Sequence, residues 1–293
     1  MPRRETPTEH LRALARRVGE VVVGEVAPRA VLLTGSTATG EADCYFDVDL
    51  IVYCGELPTE ERIGAVVERV GGVDRKLIYP RTQDEHGESF ELGGIQCQLA
   101  FVTVRCAEGE LERVLAGEEL ESPLQKAVDG ILEGIPLHGA DLIRSWCERA
   151  ADYPDSLRRA MIERHWRVFP LWYVERQVAT RDALLWREQI LVDAAFDLLA
   201  VLAALNRLYF TRFQLKRMRK LVGRMSLAPP DLADRLEGLF ELDGEEAACA
   251  LEQLVEETQA LVAAELPDLE LRLRRPVGDR REPRSLPPRL PLV

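Results

Sequence analysis

The chain has 293 residues, six cysteines, a formal net charge of -12 at pH 7 and a pI near 5.0. That length holds two modest domains or one large one, each with a buried core. An acid excess of this size excludes a protein that coats nucleic acid through its overall charge, and leaves only a local basic patch for such a role. The cysteines at 44, 54, 97, 106, 147 and 249 form no CxxC pair, and His10, His86, His138 and His165 share no ligand spacing with them or with one another. Neither a disulfide framework nor a zinc site is therefore expected. No apolar run is long enough to cross a bilayer, and the expectation is a cytoplasmic protein with free thiols.

Thr6-Pro7-Thr8-Glu9 is a capping box with proline at the first helical position, and Leu11, Leu14, Ala15 and Val18 follow at helical spacing. An apolar run at 30 to 34 predicts a strand, Gly35-Ser36 a turn, and 46 to 53 a second strand. Thr59 caps a helix whose Ile63, Val66, Val67 and Val70 end at Gly71-Gly72, and a strand at 73 to 79 follows. Residues 80 to 87 read as a polar loop. Two strands, 88 to 92 and 95 to 104, are then joined by Gly93-Gly94 as a two-residue hairpin turn. Ser122-Pro123-Leu124-Gln125 opens a helix that runs to about Glu133.

The stretch that carries chemistry is 35 to 53. A strand alternates its faces, so Asp47 and Asp49 project to one side while Val48 and Leu50 enter a core. Two carboxylates held side by side repel each other unless a cation sits between them, and the hard, oxygen-loving Mg²⁺ answers that need. At Gly35-Ser36, glycine lets a phosphate approach the backbone, and exposed amides with a hydroxyl hold its oxygens. Carboxylates, metal and phosphate cradle together point to a nucleoside triphosphate. The alternative is a surface turn followed by a half-exposed acidic strand.

Gly35-Ser36, a spacer and Asp47-Val48-Asp49 between apolar residues resemble the hallmark of the DNA polymerase β-like nucleotidyltransferase superfamily, in particular its small bacterial members such as antibiotic nucleotidyltransferases. The resemblance implies an α+β architecture: an N-terminal nucleotidyltransferase domain, a mixed β-sheet with helices, at 1 to 139, then a C-terminal α-helical bundle at 140 to 275. A Pro/Arg-rich tail at 276 to 293 is too polar to fold alone. It implies Asp47 and Asp49 on Mg²⁺, Gly35 and Ser36 on the outer phosphates, ATP or another NTP as substrate, and transfer of a nucleoside monophosphate to a hydroxyl. A small-molecule acceptor leads; RNA or a protein side chain is the enzyme alternative.

The family's third acid is expected at Gln98, and an amide cannot ionise. Three explanations stay open: another carboxylate such as Glu91, Asp129 or Glu133 is the base, one metal suffices, or a nucleotide pocket persists without turnover. Residues 134 to 139, with Pro136 and Gly139, resemble the family's interdomain linker and suit a hinge, with His138 structural.

Beyond that linker the pattern is helical to about Leu266. One helix carries Leu191, Ala194, Ala195, Leu198, Leu199, Leu202 and Leu205 as a core stripe, with Asp193 and Asp197 beside it. Residues 207 to 224 hold seven cations and no acid. By the same resemblance Lys216 meets the triphosphate, with Arg217 as its rival and Asn206 and Tyr209 as polar contacts. RNA binding through this patch is the alternative, and a plain surface helix the bland one. The four tryptophans, Trp146, Trp166, Trp172 and Trp186, fall in this part and read mainly as core.

Overall fold

The structure, a computed structural model, describes residues 6–42, 47–167, 181–213 and 215–271. Phe46, Trp172 and the 276 to 293 tail, on which expectations rested, lie outside the described residues. The protein has the expected α+β class: a unit built on a mixed sheet, Met1–Leu157, and a helical unit, Arg158–Val293.

The first unit opens with helix α1, Pro7–Val26. Thr6 accepts the Glu9 amide at 3.2 Å while the Glu9 carboxylate accepts the Thr6 amide at 2.8 Å, which closes the capping box. Strand β1 (Ala30–Thr34), the short helix α2 (Gly35–Thr39), strand β2 (Asp47–Cys54) and helix α3 (Glu60–Val70) follow. Next come β3 (Val73–Tyr79), β4 (Glu85–Leu92) and β5 (Ile95–Thr103), then α4 (Val104–Leu115), α5 (Leu124–Glu133), β6 (Ile135–His138) and α6 (Ala140–Ala151). The sheet order is β3-β4-β5-β2-β1-β6. Only β2 and β5 run parallel; the other neighbours are antiparallel.

One face of the sheet is the core. Val48, Leu50 and Val52 of β2 meet Cys97, Leu99 and Phe101 of β5, and α1 and α3 cover them with Leu11, Val18, Val22, Ile63 and Val66. The opposite face carries the other half of each strand, including Asp47 and Asp49, and receives α4, α5 and α6. There Trp146 of α6 packs edge-on against Tyr53, ring centroids 4.7 Å apart.

The Gly93-Gly94 turn has φ of 62° and 81°, the left-handed pair that a tight hairpin needs. Strand β4 begins at Glu85, three residues before the expected start. The polar letters of 85 to 88 concealed it, because the buried Glu88 carboxylate is paired on two sides. His86 Nε2 lies 2.7 Å from Glu88 Oε1, and Arg75 donates to the same carboxylate at 2.6 Å.

The segment 135 to 138, expected as a hinge, is instead edge strand β6 on β1, a place where Pro136 is tolerated. Its terminal Gly139 has φ +64°, and a Cβ there would lie 2.1 Å from the Arg29 carbonyl oxygen. This glycine locks the end of β6 against the sheet; helix α6, expected to open the helical part, packs on β1 and β6.

In the second unit, reached within helix α7 (Asp155–His165), the helices among the described residues are α8 (Leu184–Leu205), α9 (Met218–Gly223), α10 (Leu232–Gly238) and α11 (Gly244–Glu265). The α8 stripe is buried except at Ala195, which is half-buried, and α8 packs against α11. Arg158, 7% exposed, donates to the Leu205 carbonyl at 3.0 Å and so holds the end of α8.

Replacing Gly139 by alanine is expected to destabilise the protein by ~2–4 kcal/mol, the sum of a left-handed backbone and a backbone clash. Gly93→Ala, whose added Cβ meets nothing within 4 Å, should cost only ~1–2 kcal/mol. Urea midpoints followed by circular dichroism separate the two.

Candidate functional site

The site forms where β1, β2 and β5 lie side by side. Asp49 is the Cα partner of Thr34 on one side and of Gln98 on the other. Cross-strand partners share a face, so Thr34, Asp49 and Gln98 form a row, and Asp47 with Gln96 form the next. Gln98 donates from Nε2 to Asp47 Oδ2 at 2.9 Å, a diagonal bond between the rows. The residue at the expected acid position is therefore at the carboxylates, as a hydrogen-bond donor.

Gly35 is required twice over. Its φ is +70°, and a Cβ added there would lie 2.4 Å from Asp49 Oδ2. Gly35 and Ser36 begin the five-residue helix α2, where the sequence suggested a plain turn. Thr37, fully buried, fixes that helix by donating to the Asp47 carbonyl at 2.8 Å, and Arg12 of α1 donates to the Thr37 carbonyl at 3.1 Å. Ser36 accepts the Glu41 amide through its carbonyl at 2.9 Å. Its hydroxyl makes no hydrogen bond among the described residues.

Behind the carboxylates, on the core face, burial and then the charges of Asp49 and Asp47 push the Cys97 thiol up to about 12. It stays protonated and inert at neutral pH. On the open face the donor set among the described residues is oxygen from Asp47 and Asp49, with no histidine or thiol, and Gly35 brings only backbone up to Asp49 Oδ2. These residues fit a hard divalent cation better than zinc.

Glu91 shares the face of Asp47 but stands two strands away through Gln96, roughly 10 Å at ordinary strand spacing, and is exposed. Asp129 and Glu133 lie on α5, half-buried. The intervening Gly130 packs on β1 so closely that a Cβ would lie 3.0 Å from Thr34 Oγ1. Helix α5 thus meets the strand residue that faces Asp49. Ser89, 6% exposed and the Cα partner of Gln98, belongs to the same row and was missed, as was Thr34. Alternation along β4 from Glu91 would have found Ser89.

In the second unit Asn206 spends its whole amide on its own fold. It donates to the carbonyls of Leu202 at 2.7 Å and Leu227 at 2.8 Å, and accepts from the Ser226 and Leu227 amides at 2.8 and 2.9 Å. Those four bonds fill its capacity, so the expected polar contact to nucleotide has no donor or acceptor left to make it. Tyr209 is 4% exposed, within the core. Lys216 and Arg217 are exposed, and Lys216 makes no ion pair among the described residues.

The acid-free basic run finds its acids in space. Arg212 pairs with Asp193 at 3.0 Å, and Arg219 with Asp234 at 2.6 Å and with Glu237. Asp197 takes His165 Nδ1 at 2.9 Å. Trp146 and Trp166 are core, whereas Trp186 is 45% exposed.

No family model and no curated protein matches the sequence. Among solved structures the chain is similar to a nucleotidyltransferase-like protein from Exiguobacterium sibiricum 255-15. The two are 14% identical, the alignment covers 86% of this chain and 78% of that one, and the TM-score is 0.42.

Gly35→Ala is expected to cost ~2–3 kcal/mol and to turn the Asp49 carboxylate out of its cradle. Binding of Mn²⁺, read by water-proton relaxation, should weaken at least tenfold, with Gly40→Ala, a second left-handed glycine away from the carboxylates, as the control that retains it.

Proposed function

We propose that the protein is a Mg²⁺-dependent nucleotidyltransferase that moves a nucleoside monophosphate, AMP from ATP, onto a hydroxyl of a small-molecule acceptor and releases pyrophosphate. The observation that carries this reading is the Asp47–Asp49 pair on the open face of β2, with Gly35 against one carboxylate and Gln98 bonded to the other.

Asp47 and Asp49 would hold the metal, whose chemistry is to polarise triphosphate oxygens and neutralise the charge that builds on them. The Gly35 amide and the Ser36 hydroxyl would hold outer phosphate oxygens. Gln98 keeps Asp47 turned toward the face and offers no proton acceptor strong enough for a general base. The acceptor's proton falls to another acid, and the α5 pair Asp129 and Glu133 is favoured over Glu91 because α5 abuts the Thr34–Asp49 row. Phosphoryl transfer depends mainly on positioning and electrostatic stabilisation, so a single metal with two carboxylates is enough for chemistry. The amide at Gln98 also supports a second reading, a nucleotide-binding module without turnover.

Incubation with ATP labelled at the α-phosphate, Mg²⁺ and a panel of hydroxylated small molecules is expected to give labelled acceptor and pyrophosphate. Asp47→Asn and Asp49→Asn should each lower that rate ~10³-fold or more with the circular dichroism unchanged. Undiminished transfer in the double variant overturns the assignment; Mg²⁺-dependent ATP binding with label on nothing selects the second reading.

A further inference from the structure

The face of the sheet that carries Asp47 and Asp49 also bounds a cavity of about 450 Å³ further along the strands, between the sheet and helices α4 and α5. Its walls are apolar: Ile51 from β2, Leu111 from α4, and Val128 and Ile131 from α5. Four polar side chains reach it, the carboxylates of Glu85 and Glu110 and the phenols of Tyr53 and Tyr79, and none of them is a cation.

The two carboxylates are neighbours. Oxygens of Glu85 and Glu110 and the sulfur of Cys106 lie within 4.8 Å of one another. Burial and then the Glu85 charge raise the Glu110 carboxyl above its ordinary range, and Arg113 pulls the other way while also pairing with Glu119 at 3.7 Å. The anionic corner acts on the tyrosines too. Tyr79 is pushed up to about 12 by burial, then by Glu85 and Glu110; Tyr53 is raised by burial and then chiefly by Glu110.

Tyr53 is the independent sign of a ligand. It is 3% exposed, it lines the cavity, and its hydroxyl finds no hydrogen-bond partner among the described residues. That oxygen is reached from the cavity rather than sealed in the core, so its hydrogen bond is left to whatever occupies the cavity. An unpaired phenol beside two adjacent carboxylates, in a pocket with apolar walls, suits an occupant that brings positive charge, hydrogen-bonding groups and an apolar body together.

We propose that this cavity binds an organic ammonium compound, its N–H groups donating to Glu85, Glu110 and the Tyr53 oxygen and its hydrocarbon part lying on Ile51, Leu111, Val128 and Ile131. A bare metal ion fits less well. It would use the carboxylates and Cys106 but leave the apolar walls unfilled, and burial, then Glu110, hold the Cys106 thiol up at about 11. The assignment does not depend on nucleotidyl transfer and stands or falls without it.

The test is isothermal titration calorimetry of the full chain with 2-phenylethylammonium and its neutral counterpart 2-phenylethanol. The amine is expected to bind at least tenfold tighter than the alcohol, and both Glu110→Gln and Glu85→Gln to remove most of that preference. Tyr53→Phe, which keeps the ring against Trp146, should weaken the amine severalfold. Equal binding of amine and alcohol by the unaltered protein overturns the proposal, as does no binding of the amine in the millimolar range. So does Zn²⁺ binding that is lost in Cys106→Ser while the amine gives no heat.

Discussion

The parallel pairing of β2 with β5 is the constraint on which the site depends. It sets Asp47 and Asp49 beside Gln96 and Gln98, and it is enforced from the other side of the sheet. Val48, Leu50 and Val52 together with Cys97, Leu99 and Phe101 are all no more than 1% exposed. Each such burial is worth about 1.5–3 kcal/mol, whereas two partly solvated carboxylates a few ångströms apart repel by roughly 1–4 kcal/mol. The core therefore wins, and holds the acids together. A slip of one residue would send the carboxylates into that core and the aliphatic side chains out, so the register admits no alternative.

The loop side of the site is held by different physics. Helix α2 is too short to owe its position to its own hydrogen bonds; it is tied to β2 by the Thr37 hydroxyl on the Asp47 carbonyl and to α1 by Arg12. Gly35 then brings the backbone into contact with Asp49, where any side chain would displace the carboxylate. Gln98 completes the arrangement as a neutral donor. An ionised acid there would have added a third negative charge; the amide instead relieves Asp47.

The same sheet face separates two kinds of negative charge. At one end the carboxylates are open and lie beside a glycine and a serine. At the other, Glu85 and Glu110 sit among aliphatic and phenolic groups, where burial raises the Glu110 carboxyl and both tyrosines. Solvent access makes the difference: as proposed, the first pair would take a hydrated ion and phosphates, and the second an ammonium group carried on a hydrocarbon body. In the second unit the excess of acid serves structure, since Asp193, Asp234 and Glu237 take up guanidinium groups of the basic run.

What the sequence determined by itself were the features that rest on local rules. The capping box at Thr6, the Gly93-Gly94 turn, the buried stripe of α8 and the common face of Asp47 and Asp49 follow from backbone preferences and from periods of 3.6 and 2. The tertiary structure alone decided which distant groups meet. Gln98 reaches Asp47 across 51 positions of sequence, Arg212 finds Asp193, and Asn206 is consumed by residues 226 and 227. It also made strands of two segments whose letters argued against them. His86 and Glu88 could enter a strand because each supplies the other's hydrogen bond, and Pro136 because β6 lies at an edge. Propensity and pattern act over a few residues, whereas the partner of a buried charge or an unpaired phenol is chosen by the packing of the whole sheet.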